Sequence, residues 1–152
     1  MSISDALARR KASWRAFVAM WFAPDVGEVY TEGIRPALEA CGYEGGFRVD
    51  DPEHDADEKS PAKIDDRILA GIRRCRFLVA DARGSRTSVY YEAGFADGLG
   101  IPVIWCCLRG KEHEMAFDTR QLEHIIYDSP EDLRKQLIAK IERKGWRLIA
   151  PA

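Results

Sequence analysis

The stretch that decides the fold spans residues 77–104 and reads FLVADARGSRTSVYYEAGFADGLGIPVI. It opens with Phe77 to Ala80, a continuous apolar run of the kind that forms a strand covered on both faces. A polar loop over residues 81–87 follows, and residues 89–99 are predicted to form a helix. The run from residue 101 to residue 107 (IPVIWCC) then predicts another buried strand. Two buried strands joined by a helix predict a parallel sheet with helices packed on it.

The same alternation continues towards the amino terminus. Residues 1–14 are predicted to be a polar segment with a short helix, and residues 16–20 (AFVAM) form an apolar run that predicts a strand. Residues 26–41 carry apolar side chains at helical spacing, although Pro36 is expected to kink that helix or to mark its weak point. Residues 47–49 predict a second, short strand.

The remaining segments complete the pattern. Residues 50–61 (DDPEHDADEKSP) lack large apolar side chains and predict a loop, and residues 63–75 predict a helix with one apolar stripe. Residues 124–127 predict the last strand. A final helix is predicted to begin at Ser129, which caps it, and to end at Gly145. The chain is therefore predicted to be a single α/β domain in which helices sandwich a parallel sheet of about five strands.

Composition excludes several classes of function. Of the 152 residues, 46% are hydrophobic and 32% are charged, as in a globular domain. The net charge of −2, from 23 basic against 25 acidic residues, gives no electrostatic footprint for polymeric nucleic acid or an anionic membrane. No apolar run approaches the roughly 20 residues of a membrane span, and the amino terminus lacks the apolar region of a secretory signal. We therefore expect a cytoplasmic protein.

Neither a metal nor a cofactor is predicted. The three histidines are far apart in sequence, and the four cysteines form no C-x-x-C pair, so we expect buried thiols in a reduced cytosol. No G-x-G-x-x-G follows the first strand, and neither G-K-[ST] nor G-x-S-x-G occurs anywhere. These absences disfavour a dinucleotide dehydrogenase, a P-loop enzyme and an α/β-hydrolase.

Glu92 is the residue with the clearest chemical potential. Ligands of doubly wound folds bind beyond the carboxyl ends of the strands, and the early turns of the helix after Ala80 lie there. An ionised carboxylate near a helix amino terminus can attack an electrophilic carbon such as C1′ of a sugar. Gly94 would let a flat ligand approach closely. The alternative is structural: Glu92 balances its own helix dipole, and Tyr91 belongs to the core.

Three segments in the same order resemble the nucleoside 2-deoxyribosyltransferase family and the related nucleotide N-glycosidases. They are FVAMWF at residues 17–22, KIDDRILAGI at residues 63–72 and the stretch 77–104 quoted above. The resemblance covers most of the chain, from Phe17 to about Tyr127. It implies a flavodoxin-like (Rossmann-like) fold over residues 1–152, no cofactor, and a nucleoside or nucleotide as substrate. It also implies a subunit that pairs with others into a homodimer or a higher homo-oligomer.

The resemblance also implies roles for individual residues. Glu92 matches the catalytic glutamate that forms a glycosyl-enzyme intermediate, and either Asp65 or Asp66 would help to protonate the leaving base. The substrate would be contacted by residues that follow the strands or lie near Glu92, namely Met20, Trp21, Phe22, Asp81, Tyr91, Gly94 and Asp118. Several of these have structural alternatives, since Trp21 and Phe22 can serve packing alone, Asp81 can begin an Asx turn and Asp118 can cap a helix.

One departure from the family pattern bears on the substrate. Deoxynucleoside transferases often carry an aspartate six residues before the glutamate, where this chain has Arg86. Arg86 and Ser88 near a helix amino terminus could hold a phosphate, which favours a nucleoside monophosphate. The alternative for Arg83 and Arg86 is solvated loop charge.

Two other functions compete with N-glycosidic bond cleavage or exchange. TIR-like domains share the flavodoxin-like topology and use a glutamate carried on a helix to cleave NAD. A non-catalytic nucleotide-binding module would use the same pocket without turnover, and an intact Glu92 is compatible with that.

Overall fold

The computed structural model describes residues 2–21, 27–47, 61–116 and 119–150. The helices are α1 (Ile3–Lys11), α2 (Arg35–Ala40), α3 (Pro61–Arg74), α4 (Thr87–Gly98) and α5 (Pro130–Arg143). The strands are β1 (Arg15–Ala19), β2 (Glu44–Phe47), β3 (Phe77–Asp81), β4 (Val103–Leu108) and β5 (His124–Tyr127). A π-helical turn (Val29–Ile34) leads into α2, and 3₁₀ turns lie at Arg83–Ser85 and Glu112–Glu114. Within the described ranges, no helix has both the length and the apolar character that crossing a membrane requires.

The strands form one parallel sheet, as the buried apolar runs predict. Across the described residues the strand order is β2-β1-β3-β4-β5, and each neighbouring pair is parallel. The register places Ala16 beside Phe77 and Ala19 beside Ala80. All the strands therefore begin at one end of the sheet, here called the amino end, and finish at the other, the carboxyl end. The predicted α/β class with a parallel sheet and covering helices is confirmed.

Alternate side chains of each strand enter two separate hydrophobic layers. On one face, Val18 and Val79 pack with the π-helical turn, α2 and α5, which contribute buried Ile34 and Leu137. On the other face, Leu78 and Ala80 pack with α3 and α4, whose buried residues include Ile72, Val89, Ala93 and Ala96. The continuous apolar sequence of β3 follows from this arrangement, since both of its faces are covered. We refer to the two sides as the α2–α5 face and the α3–α4 face.

Pro36 is accommodated without breaking the helix. In the π-helical turn before α2, the Arg35 N–H donates to the Tyr30 carbonyl, five residues back. Pro36 then occupies the first turn of α2, and because Ile34 and Arg35 before it are already helical, the widened turn makes room for the proline ring. The kink expected at Pro36 is thus replaced by a widened turn immediately before it.

The second strand begins earlier than the sequence pattern indicates. It starts at Glu44 and ends at Phe47, whereas the prediction covered residues 47–49. Gly45 and Gly46 supply no apolar side chains, so period-two patterning could not reveal them. The loop predicted over residues 50–61 lies outside the described residues except for Pro61, where α3 begins.

The C-terminal segment closes the amino end of the sheet. The Trp146 ring stacks on Phe77 with centroids 5.2 Å apart, and the Tyr43 ring meets Phe77 edge-on at 4.9 Å. The Tyr43 hydroxyl donates to the Trp146 carbonyl at 2.5 Å, and the Leu148 N–H donates to the Cys41 carbonyl at 2.8 Å. Aromatic packing and backbone hydrogen bonds therefore seal this end.

Candidate functional site

The carboxyl ends of β1 and β3 lie side by side, but the chain leaves them towards opposite faces. After β1 the chain continues to α2 on the α2–α5 face, and after β3 it continues to α4 on the α3–α4 face. Such a reversal is the usual place for a ligand in an open α/β sheet. Trp21 follows β1 here, and residues 82–86 follow β3.

Trp21 packs directly on the loop after β3. Gly84 has a φ of +77°, a conformation that favours glycine, and a Cβ added there would lie 2.8 Å from Cε3 of Trp21. The Arg86 guanidinium carbon lies 3.8 Å from the centroid of the Trp21 ring, within the range of a cation–π interaction. The structure therefore brings together two predicted binding residues that are 65 positions apart in sequence. Gly84, which permits this approach, was not predicted as a site residue.

Glu92 lies on the side of α4 that faces α3. Ala93 points into the core, whereas Ser88, Glu92 and Phe95 form the neighbouring stripe at spacings of four and three. The Arg73 guanidinium of α3 lies 5.4 Å from the Phe95 ring centroid, which orients this stripe towards α3. Glu92 itself is partly buried. It is the sixth residue of α4, so the helix dipole, which acts within the first turn, is a weaker influence than the sequence argument assumed.

Other predicted residues of α3 and α4 differ in exposure. Tyr91 is 63% exposed, so the alternative that placed its ring in the core is wrong. Ser88 is exposed, and a Cβ added to Gly94 would meet nothing within 4 Å, so this surface is open. Asp66 is exposed on α3, and Asp65 precedes it in the same helix. Open space beside Gly94 is compatible with the close ligand approach that we expected there.

Met20 does not lie among the exposed site residues. It is 5% exposed and belongs to the hydrophobic layer of the α2–α5 face, because it continues the alternation of β1. The expected contact with substrate therefore has no surface to use, and packing is its role in this structure. Phe22 and Asp118, the other two predicted contacts of loops, lie outside the described residues.

Asp81 is a buried structural carboxylate in this structure and does not line an open pocket. It is 3% exposed and faces the α2–α5 layer. Its Oδ2 accepts a hydrogen bond from the Tyr127 hydroxyl at 2.6 Å, and its Oδ1 accepts one from the Arg83 N–H at 2.8 Å. The second bond closes an Asx turn, so the structural alternative for Asp81 describes its contacts. Burial raises the pKa of Asp81, although the hydrogen bonds from Tyr127 and Arg83 oppose that shift.

Tyr127 and Arg83 complete this buried polar group. Tyr127 is fully buried at the carboxyl end of β5, and burial together with the neighbouring Asp81 raises the pKa of its hydroxyl. Nη2 of Arg83 donates to the Tyr127 oxygen at 3.3 Å, and Nε of Arg83 is buried without a hydrogen-bond partner among the described residues. The sequence pattern predicted Tyr127 only as part of a strand. No local pattern signals a contact between residues 46 positions apart.

The loop after β4 is tied to the same site. Oε2 of Glu114 accepts a hydrogen bond from the Gly84 N–H at 2.9 Å, and this bond lowers the pKa of Glu114. The Tyr90 hydroxyl of α4 accepts a bond from the Ala116 N–H at 2.9 Å. These anchors give the loops after β3 and β4 a fixed relation to one another.

The cysteines offer no exposed nucleophile at this end. All four are buried as free thiols, and burial raises the pKa of Cys107 to about 12 and the pKa of Cys106 well above its ordinary value. A thiol must ionise and reach a substrate to act as a nucleophile. In the described parts of the chain, no group of three or more His, Cys, Asp or Glu side chains could hold a metal ion.

A separate cavity of about 380 Å³ lies at the amino end, beside the first residues of β4. Its lining includes Asp97, Val103, Leu122, Lys140 and Trp146. Lys140 is already paired with Glu123 at 3.0 Å. This cavity lies at the opposite end of the sheet from Trp21 and Arg86.

Comparison with known proteins adds no family. No protein-family model and no curated protein matches this chain.

Proposed function

We propose that this protein cleaves or exchanges the N-glycosidic bond of a nucleoside or a nucleoside monophosphate, with Glu92 as the nucleophile. We also propose a flavodoxin-like fold, because the strand order 2-1-3-4-5 is the one that defines that doubly wound class. The resemblance of residues 17–22, 63–72 and 77–104 to the nucleoside 2-deoxyribosyltransferases supports the same assignment.

The observation that carries the proposal is the meeting of Trp21 and Arg86 at the reversal point. Half-buried Trp21 and exposed Arg86 form an aromatic–guanidinium pair beside the carboxyl ends of β1 and β3, and groups of this kind stack on bases. Arg86 lies directly before α4, the helix that carries Glu92. Six residues of helix span about 9 Å along the axis, so a ligand held near Arg86 extends towards Glu92.

In the proposed reaction a carboxylate oxygen of Glu92 bonds to C1′ while the C1′–N bond breaks. The bonding pair leaves with the base, which takes a proton from an acidic group. Asp66, exposed on the facing helix, and Asp65 are the two candidates, and the choice between them stays open. A water molecule or a second base then attacks C1′ and gives its proton to the carboxylate that protonated the leaving base, which releases the Glu92 carboxylate and restores the enzyme.

Arg86 favours a monophosphate over a free nucleoside. Its side chain is exposed, and no carboxylate of the described residues lies within ion-pair distance of it. Among the described residues, the contact recorded for its guanidinium is the cation–π contact with the Trp21 ring. An arginine beside the start of a helix suits a phosphate group, because guanidinium and phosphate form paired hydrogen bonds.

The test is base release from a panel of deoxynucleosides, nucleoside monophosphates and NAD, measured by liquid chromatography. We expect release by the wild type and a loss of at least about a thousandfold in Glu92→Gln, which keeps the shape of the side chain. Asp97→Asn is the matched control, since it removes a carboxylate from the far end of the same helix. Equal release by the wild type and Glu92→Gln would contradict the mechanism.

The same panel separates the alternatives. Release of nicotinamide from NAD alone would favour a TIR-like activity, and saturable binding without any release would favour a nucleotide-binding module. Loss of activity towards monophosphates but not nucleosides in Arg86→Gln would support the phosphate contact. We also propose that the chain assembles into a homodimer or a higher homo-oligomer and that it is cytoplasmic.

A further inference from the structure

The buried polar group of Asp81, Tyr127 and Arg83 at the carboxyl end takes no part in the proposed chemistry. Asp81 is the buried charged residue of the described chain, and burying a carboxylate is unfavourable unless it is hydrogen-bonded. Its two oxygens are held by Tyr127 and by the Arg83 backbone, at 2.6 and 2.8 Å. Apolar side chains at the positions of Asp81 and Tyr127 would fill this space without burying a carboxylate.

The polar group is connected to the exposed site by a short path through the backbone. Tyr127 holds Asp81, and Asp81 holds the N–H of Arg83. The Trp21 ring packs against the next residue, Gly84, at the place where a Cβ would stand. The Gly84 N–H donates to Glu114 at 2.9 Å. Every link in this path is a hydrogen bond or a close contact.

We propose that Tyr127 is a positioning residue that acts through Asp81. Its hydroxyl fixes the Asp81 carboxylate, the carboxylate fixes the backbone at Arg83 and Gly84, and that backbone sets where Trp21 and Arg86 meet. The Arg83 guanidinium reinforces the group, since its Nη2 donates to the same Tyr127 oxygen at 3.3 Å. The inference rests on the proposed function only for its catalytic readout.

The primary test follows Trp21 directly and requires no substrate. The chain has four tryptophans, so incorporation of 5-fluorotryptophan gives four fluorine resonances, of which Trp21 is assigned with Trp21→Phe. We expect Tyr127→Phe, which leaves the buried ring in place, to shift or broaden the Trp21 resonance. The Trp146 resonance at the amino end should stay unchanged.

Tyr43→Phe is the matched control. It also removes a hydroxyl from a buried tyrosine, but that hydroxyl donates to the Trp146 carbonyl at the amino end. We expect Tyr43→Phe to move the Trp146 resonance and to leave Trp21 unchanged. If Tyr43→Phe and Tyr127→Phe change Trp21 equally, Tyr127 has only a general packing role and the proposal is wrong.

Asp81→Asn tests the same path from its other end. If Tyr127 acts through Asp81, the Trp21 shift in the double variant should not exceed the larger of the two single shifts. Additive shifts would overturn the proposal. Because Asp81→Asn alone also reports on Trp21, the proposal stays testable if Tyr127→Phe does not fold; an unmoved Trp21 in a folded Asp81→Asn would contradict it.

A kinetic readout separates this inference from the function it deepens. Loss of one positioning hydrogen bond should raise KM about tenfold while kcat stays within about twofold, because Glu92 itself is untouched. A shifted Trp21 resonance without base release in any protein would sustain the positioning role and contradict the proposed function. Base release with an unmoved Trp21 resonance and an unchanged KM in Tyr127→Phe would support the proposed function and contradict the positioning role.

Discussion

The two ends of the sheet are built from different materials. At the amino end, the rings of Tyr43 and Trp146 cover Phe77, the Tyr43 hydroxyl donates to the Trp146 carbonyl, and the Leu148 N–H donates to the Cys41 carbonyl. At the carboxyl end, the same strand finishes in Asp81, a buried carboxylate whose neighbour Arg83 has a buried Nε without a partner among the described residues. The amino end of β3 therefore stabilises the fold by apolar packing, whereas its carboxyl end replaces apolar packing with a hydrogen-bonded carboxylate that holds the following loop.

The largest effect on stability is expected at the amino end. Phe77 is fully buried, so Phe77→Ala removes a ring from between two others and should lower the free energy of unfolding by about 3–5 kcal/mol. Urea unfolding checks this value. The matched expectation is that the folded variant keeps the ligand affinity of the wild type. A folded variant that has lost ligand binding would contradict the assignment of stability to the amino end and of binding to the carboxyl end.

Alanine substitution of one glycine at each end adds a single Cβ atom and allows the two ends to be compared. Gly42 and Gly84 both have positive φ, and a Cβ at either would lie within 3.0 Å of a neighbour, Leu148 or Trp21. Each alanine variant should lose roughly 1–2 kcal/mol from the backbone conformation alone. Only Gly84→Ala displaces Trp21, so it should also lower ligand affinity about tenfold or more, measured by titration calorimetry.

Gly42→Ala is the control for that pair, since its added Cβ meets the C-terminal segment. We expect its ligand affinity to equal that of the wild type. If both variants weaken the ligand equally, Trp21 is not a binding surface.

The smallest effect is a pH dependence at the carboxyl end. Burial raises the pKa of Asp81 above 3.8, so the unfolded chain loses this proton first. The contribution of Asp81 to stability is therefore complete below pH 3.8 and is lost as the pH rises through the folded-state pKa. The Tm of Asp81→Asn relative to the wild type should rise across that window. A relative Tm that falls instead would mean that the hydrogen bonds of Tyr127 and Arg83 outweigh burial.

The parts of the fold that depend on local pattern were predictable. The apolar runs of β1, β3 and β4 and the capped start of α5 at Ser129 appear where the sequence indicates them. Strand β2 begins early because Gly45 and Gly46 leave no hydrophobic alternation to detect. The widened turn before Pro36 was not foreseen, since a proline predicts a disruption but not its form.

The candidate site was predictable in its location but not in its connections. The rule for strand ends indicated the segments after β1 and β3, and the family resemblance and one departure from it singled out Trp21 and Arg86, which do meet. The resemblance also implied that Met20 and Asp81 contact the substrate, but it could not tell which strand-end side chains face inward, and both are buried. Tyr127 was not predicted as a site residue because its partner, Asp81, lies on β3, which is separated from β5 by β4.

The central claim is that a carboxylate at the carboxyl end bonds to the sugar. The most direct measurement is the mass of the protein, quenched in acid during turnover and then digested. The account predicts an added sugar, or sugar phosphate, on the peptide that contains Glu92, and none in Glu92→Gln. Base release by the wild type with the added mass on a different residue, or with an adduct that persists in Glu92→Gln, would contradict it.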